Sequence, residues 1–180
     1  TAAFLAAKLG QIEALRALGD LGCPMAEKAN NGCTAAFIAA QKGHVEALRA
    51  LGDLGCPMAE KGNDGWTAAF VAAEKGHVEG LRALRDLGCP MAEKDSDGLT
   101  AAFAAAKKGH VEVLRALRDL GCPMAEKNNN GCTAAFLAAQ AGHVEARRAL
   151  ADLGCPMAEK ANDGCTAVSV AAQEGHVEVL

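Results

Sequence analysis

Eight cysteines and five histidines are the side chains with the most chemistry to offer in this 180-residue chain, and both recur at fixed spacing. Cys23, Cys56, Cys89, Cys122 and Cys155 form one column with a step of 33, and Cys33, Cys132 and Cys165 partly fill a second. His44, His77, His110, His143 and His176 form a third. Thiols with imidazoles suggest zinc or thiol–disulfide chemistry, and the spacing argues against both. Same-column residues of adjacent repeats stand about one helix diameter apart, about 8–10 Å. Sulfurs bound to one tetrahedral zinc at about 2.3 Å lie within about 4 Å of each other, and a disulfide needs Cα atoms within about 7 Å. Cys23 with Cys33, along one loop, is the only local pairing on offer. Otherwise the regular Cys column reads as a small buried hydrophobe, which predicts a disulfide-free, intracellular and cytoplasmic chain.

The histidines open Gly-His-Val-Glu, where His and Glu stand two apart and share no helical face, so they form no metalloprotease pair. A helix-junction role is expected for them. The chain has no glycine-rich phosphate loop, no His-Glu-x-x-His and no nucleophile elbow. It has no Tyr, and its only serines are Ser96 and Ser169. No cationic neighbourhood that would activate Cys33, Cys132 or Cys165 is visible. No catalytic residue, metal site or cofactor is therefore expected, and the chain by itself is not read as an enzyme.

The elements that hold these columns follow one period. Thr1, Thr34, Thr67, Thr100, Thr133 and Thr166 are 33 residues apart without a slip, giving units 1–33, 34–66, 67–99, 100–132 and 133–165 and a partial unit 166–180. A fixed period of this size means a solenoid or array, read here as one array over residues 1–180. Each unit buries its apolar face against neighbours, with no central core. A net charge of −4 does not favour nucleic acid. No stretch is long and apolar enough to span a bilayer, and no signal peptide opens the chain. A monomer is expected. The outermost segments carry no polar capping face, and Leu180 sits on an apolar helix face, so a piece of a longer protein is expected.

Within one unit, Thr34 caps a helix over residues 35–42 that Gly43 stops. Ala36, Ala39 and Ala40 give it a slim apolar stripe. A second helix runs over residues 45–54 and stops at Gly55, with Val45, Ala47, Leu48, Ala50 and Leu51 inward and Glu46, Arg49 and Asp53 outward. Pro57, Gly62 and Asn63-Asp64-Gly65 then make a hairpin-like loop. Arg147 stands where other units have a core-facing Leu, which predicts a local soft spot or a head that snorkels to water. Gln11 stands where the others have His.

The stretch DGWTAAFVAAEKGHVEGLRALRDLGCPMAEK, residues 64–94, resembles the ankyrin repeat. The likeness lies in Asp-Gly-x-Thr, the Ala-Ala pair, Gly-His-Val-Glu, the Leu-rich second helix and the following Leu-Gly, and it covers the whole chain. It implies an all-α solenoid: a right-handed stack of helix–turn–helix repeats with short β-hairpin-like loops. The chain departs from the family in Thr34-Ala35-Ala36-Phe37, where Thr-Pro-Leu-His is usual, and in Cys56-Pro57 after the second helix. Losing that Pro removes a pre-set first turn, and the loop is expected to be shaped differently.

Differences among units fall at the residue before Thr (Cys33, Trp66, Leu99, Cys132, Cys165), at the loop tip (Asn63-Asp64 and Ser96-Asp97 among others) and at the end of the first helix. The last reads Gln41-Lys42, Glu74-Lys75, Lys107-Lys108, Gln140-Ala141 and Gln173-Glu174. In ankyrin-like proteins these positions line the concave groove and loop tips that contact partners. The resemblance therefore implies a protein-binding scaffold, with contacts from Trp66, Leu99, Glu74, Lys75, Lys107, Lys108, Gln41, Lys42, Asp64, Asp97, Cys33 and Cys132. Trp66 and Leu99 are also large apolar groups at turn positions, and Trp is a favoured interface anchor. The alternative for both is packing against adjacent loops. Lys107 and Lys108 with Arg115 and Arg118 form the densest basic cluster, which reads as a solvated helix face rather than a phosphate or nucleic-acid contact. Residues 67–99 carry four basic and six acidic groups, and residues 100–132 five and three, a contrast that would orient a partner. The competing function is a regulatory or targeting segment of a larger enzyme, such as a kinase or ubiquitin-ligase component, whose catalytic domain lies outside this chain.

Overall fold

A computed structural model describes residues 1–179; the expectation for Leu180 lies outside the described residues. The chain divides into two compact units, Thr1–Pro90 and Met91–Leu180, and each is all-helical.

The first unit contains α1 (Ala2–Leu9), α2 (Ile12–Asp20), α3 (Ala35–Lys42), α4 (Val45–Asp53), α5 (Ala68–Lys75) and α6 (Val78–Asp86). The second contains α7 (Ala101–Lys108), α8 (Val111–Asp119), α9 (Ala134–Gln140), α10 (Val144–Asp152), α11 (Ala167–Gln173) and a 3₁₀ turn, Val177–Val179. Odd-numbered helices stack on each other as an inner layer, α1 on α3 on α5 and α7 on α9 on α11. Even-numbered helices form the outer layer, α2 on α4 on α6 and α8 on α10. This is the all-α solenoid architecture expected from the period.

Local chemistry sets the helix ends. The Thr34 hydroxyl accepts the Phe37 N–H at 3.3 Å, and the Thr67 hydroxyl accepts that of Phe70 at 3.1 Å, satisfying an otherwise orphan donor of the first turn. Gly43 closes α3 in the left-handed conformation, with φ 72°, which costs glycine nothing. The second helix of the unit ends at Asp53, with Leu54 as its cap residue. That is one residue short of the sequence expectation, because the left-handed turn at Gly55 begins from Leu54.

The inner helices are thin. In α3 every residue from Ala35 to Ala40 is buried, because alanine lets neighbouring helices approach on both sides. The outer helices bury one face only, Ala47, Leu48, Ala50 and Leu51 in α4. Leu54 and Leu87 then close over the preceding outer helices, filling the space a Cβ would take at Gly19 and Gly52.

The loops between pairs fold back on themselves, with Gly62 N–H donating to Trp66 O at 2.9 Å and Asn128 N–H to Cys132 O at 3.0 Å. Among the described residues strand-like pairing is confined to isolated bridges, Lys127 with Thr133 and Lys160 with Thr166. Consecutive loops are tied laterally. Asn63 donates from its backbone to Asn31 O at 3.0 Å and from its side-chain amide to Asn30 O at 3.2 Å. In the second unit, the Asn129 and Asn162 amides reach Ser96 O at 2.9 Å and Asn129 O at 3.0 Å. Surface ion pairs Lys28–Glu60, Lys94–Glu126 and Lys127–Glu159, at 2.7–2.8 Å, run alongside.

Candidate functional site

Each unit places its variable residues where a loop meets the start of an inner helix and where that helix ends. In the first unit the loop before α5 is fixed by the Asp64 carboxylate, which accepts the Trp66 N–H at 3.0 Å. Thr67 caps the helix one residue later, so the Trp66 side chain meets Phe70 one turn along. The rings stack with centroids 4.8 Å apart and planes 27° from parallel. Trp66, the last residue of unit 34–66, is thus half-buried against the first helix of unit 67–99. Packing against an adjacent loop had been the sequence alternative; Phe70 is the partner that reading missed, and its Trp-to-Phe spacing of four was the available signal.

At the other end of the inner helices, Lys75 is exposed and bonds half-buried Glu74 at 3.1 Å. Gln41 is half-buried and Lys42 exposed. The Gln41 carbonyl accepts from His77 Nε2 at 3.2 Å, so the histidine ties one repeat to the inner helix of the one before.

In the second unit, Leu99 is half-buried and its N–H donates to the Asp95 carboxylate at 2.8 Å. Exposed Asp97 donates its backbone N–H to the same oxygen at 2.9 Å. Lys107 and Lys108 are exposed at the end of α7, and the Lys107 carbonyl accepts from His143 Nε2 at 3.1 Å. In one unit Asp64 and Trp66 thus stand at the start of α5 and Glu74 and Lys75 at its end; in the other Asp97 and Leu99 stand at the start of α7 and Lys107 and Lys108 at its end. The loop-tip amides Asn63, Asn129 and Asn162 are spent on lateral bonds.

Cys33 and Cys132 are buried, and all eight cysteines, Cys23 included, are free thiols. Burial pushes the Cys33 thiol up, the Asp64 carboxylate adds to it, and Lys28 opposes. Burial likewise raises Cys132, with Asp163 adding. Cys56, Cys122 and Cys155 are raised by burial first, Cys122 to about 11. A thiol that resists ionisation is a poor nucleophile and metal ligand. Among the described residues no group of three or more His, Cys, Asp or Glu is arranged to hold a metal ion. Among the described residues no helix is long and apolar enough to cross a membrane.

One core position departs from its column. Leu48, Leu81 and Leu114 are fully buried on the outer helices. Arg147 takes that place in α10, half-buried, with its Nε buried and without a hydrogen-bond partner.

The family model of ankyrin repeats in three copies matches residues 54–128, 87–160 and 120–180. No curated protein gives a significant match to the chain.

Proposed function

We propose, on the premise that the chain belongs to the ankyrin repeat family, that it is a non-catalytic scaffold binding a partner protein through the inner-helix and loop positions of each unit. Ankyrin repeats are generic protein–protein interaction modules. The observation that carries the reading for this chain is Trp66, a large aromatic held in place before any contact by the Phe70 stack and the Asp64 turn. A pre-ordered anchor loses little freedom on binding, and Trp is the residue type most often found to dominate an interface. Glu74 and Lys75 add polar contacts from the far end of α5. In the second unit Leu99, at the start of α7, and Lys107 and Lys108, at its end, supply a second set of contacts. Gln41, Lys42, Asp64 and Asp97 flank these groups, while Cys33 and Cys132 back the loops from within.

Free thiols with raised pKa fit a reducing compartment, and we place the chain in the cytoplasm as a monomer. The same thiols support the absence of nucleophilic chemistry.

The test is site-specific photo-crosslinking. A photoreactive side chain at Lys75 or Lys107 is expected to trap a protein that the same group at Arg82, on outer helix α6, does not. Trp66→Ala is expected to weaken binding of the trapped protein about tenfold or more, the scale of an interface anchor. Unchanged affinity would remove Trp66 from the contact, and equal trapping from Arg82 would remove the face.

A further inference from the structure

The second unit holds a recess of about 410 Å³. Its floor is apolar: Phe136 and Leu137 from α9, Val170 from α11, and the Cys132 and Cys165 side chains. Its rim carries neutral amides, Gln140, Asn162 and Gln173 among them, and two carboxylates, Asp163 and Glu174. No Lys, Arg or His lines it.

The charge of this rim follows from the broken period. The last two residues of the inner helices read Lys107-Lys108 on α7, Gln140-Ala141 on α9 and Gln173-Glu174 on α11. Two cations thus give way to no charge and then to an anion, within one unit. Asp163 uses one oxygen to accept the Cys165 N–H at 2.9 Å, which fixes the carboxylate at the mouth. Among the described residues neither Asp163 nor Glu174 has a cation within ion-pair distance. Of the rim amides, Asn162 is stiffened as well, since it is tied to Asn129 O at 3.0 Å. Two unneutralised carboxylates flanking an apolar floor favour an opposite charge beside an apolar group.

We propose that this recess takes a short extended peptide segment of a partner protein in which an apolar side chain is flanked by lysine or arginine. The apolar side chain lies over Phe136, Leu137 and Val170, and the cations pair with Asp163 and Glu174. This rests on the reading of the chain as a protein-binding scaffold and names the chemistry of one partner segment.

The probe is a synthetic peptide, acetyl-Gly-Arg-Leu-Lys-Gly-amide, titrated into ¹⁵N-labelled chain at low salt and followed by amide chemical shifts. Shifts are expected to concentrate at residues of α9, α11 and the 161–165 loop. Replacing Arg and Lys of the probe by Glu is expected to abolish them, and replacing its Leu by Gly to weaken binding about tenfold, the share of a buried leucine. In the chain, Asp163→Asn with Glu174→Gln keeps the shape of both side chains. It is expected to weaken the Arg-Leu-Lys probe about five- to tenfold, the range of two partly exposed ion pairs. A matching spectrum of the unbound variant shows that it is folded. Equal response to the Glu-containing peptide, indifference to the double substitution, or shifts dispersed over both units would overturn the proposal. So would concentration-dependent loss of the same signals without peptide, which would assign the recess to a second copy of the chain. Trapping from Lys75 and Lys107 is independent of these residues, so its persistence after a negative titration would overturn this inference alone.

Discussion

The imidazole Nε2 of His77 donates to the carbonyl oxygen of Gln41 at 3.2 Å, and its ring lies against Gly43. A Cβ added at Gly43 would fall 2.8 Å from the ring. The histidine column therefore acts between repeats: the rings of His44, His77, His143 and His176 occupy the space left by the glycines that follow the preceding inner helices, Gly10, Gly43, Gly109 and Gly142. Gly43→Ala is expected to cost stability twice, through its left-handed backbone, about 1–2 kcal/mol, and through displacement of His77. His77→Ala alone forfeits a hydrogen bond, about 1 kcal/mol, and its packing. Urea unfolding of both single variants and the double variant checks this. The double is expected to cost less than the two singles together, because the clash vanishes with the ring.

Thr67 and Thr100 occupy the same column and do different things. The Thr67 hydroxyl caps α5, whereas Thr100 makes no side-chain cap bond on α7. Thr67→Val is therefore expected to cost about 1 kcal/mol, the usual worth of an N-cap. Thr100→Val is expected to be close to neutral, since no cap is lost and a buried hydroxyl is removed. Denaturant midpoints of the two variants decide it, and equal losses would contradict the difference in capping.

Arg147 is the one guanidinium placed where Leu48, Leu81 and Leu114 are fully buried, and its Nε has no partner. An unsatisfied buried donor costs about 1–3 kcal/mol, so Arg147→Leu is expected to stabilise the second unit by an amount in that range. Hydrogen exchange of α9 and α10 amides should slow in the variant. Exchange unchanged there would show that the strain is already relieved through the exposed part of the side chain.

The features legible in the sequence are those written within a few residues of each other. Thr34 and Gly43 bound α3 because caps are local, and the alternation of Ala-rich and Leu-rich helices follows from their apolar stripes. The soft position at Arg147 was visible against its column, and so was the junction role of the histidines, though not the acceptor. What was hidden depends on neighbours 33 or more residues away, or on side-chain direction. The Asn63 amide reads as a variable loop tip, yet it bonds Asn30 O, one repeat back. The uncapped Thr100 is followed by the same Ala-Ala-Phe as the capping Thr34 and Thr67. The recess over Phe136 and Val170 is hidden because its lining comes together from α9, α11 and two loops, although Gln140 and Gln173-Glu174 on its rim stand in the variable column.

Alkaline pH should act on the fold through the cysteine column. The Cys122 thiol rises from an ordinary value of 9.0 to about 11 because it is buried, and Cys56 and Cys155 are raised for the same reason. In the unfolded chain these thiols ionise near 9, while in the folded chain Cys122 stays protonated until about 11. Above pH 9 the unfolded state therefore binds fewer protons, and stability falls as pH rises. The protonated core contributes its full stability below 9 and loses it through 11, a change of about 2–3 kcal/mol for Cys122 if nothing offsets it. Urea midpoints measured from pH 8 to pH 11 should decline across that window, and Cys122→Ala should flatten the decline while lowering the midpoint at pH 8 through its lost volume. Thiol alkylation gives a second readout: half-buried Cys165 should react at pH 8 well before Cys122. If Cys122 reacted as fast, its protonation could not be held by burial, and the slope with pH would have to come from another group.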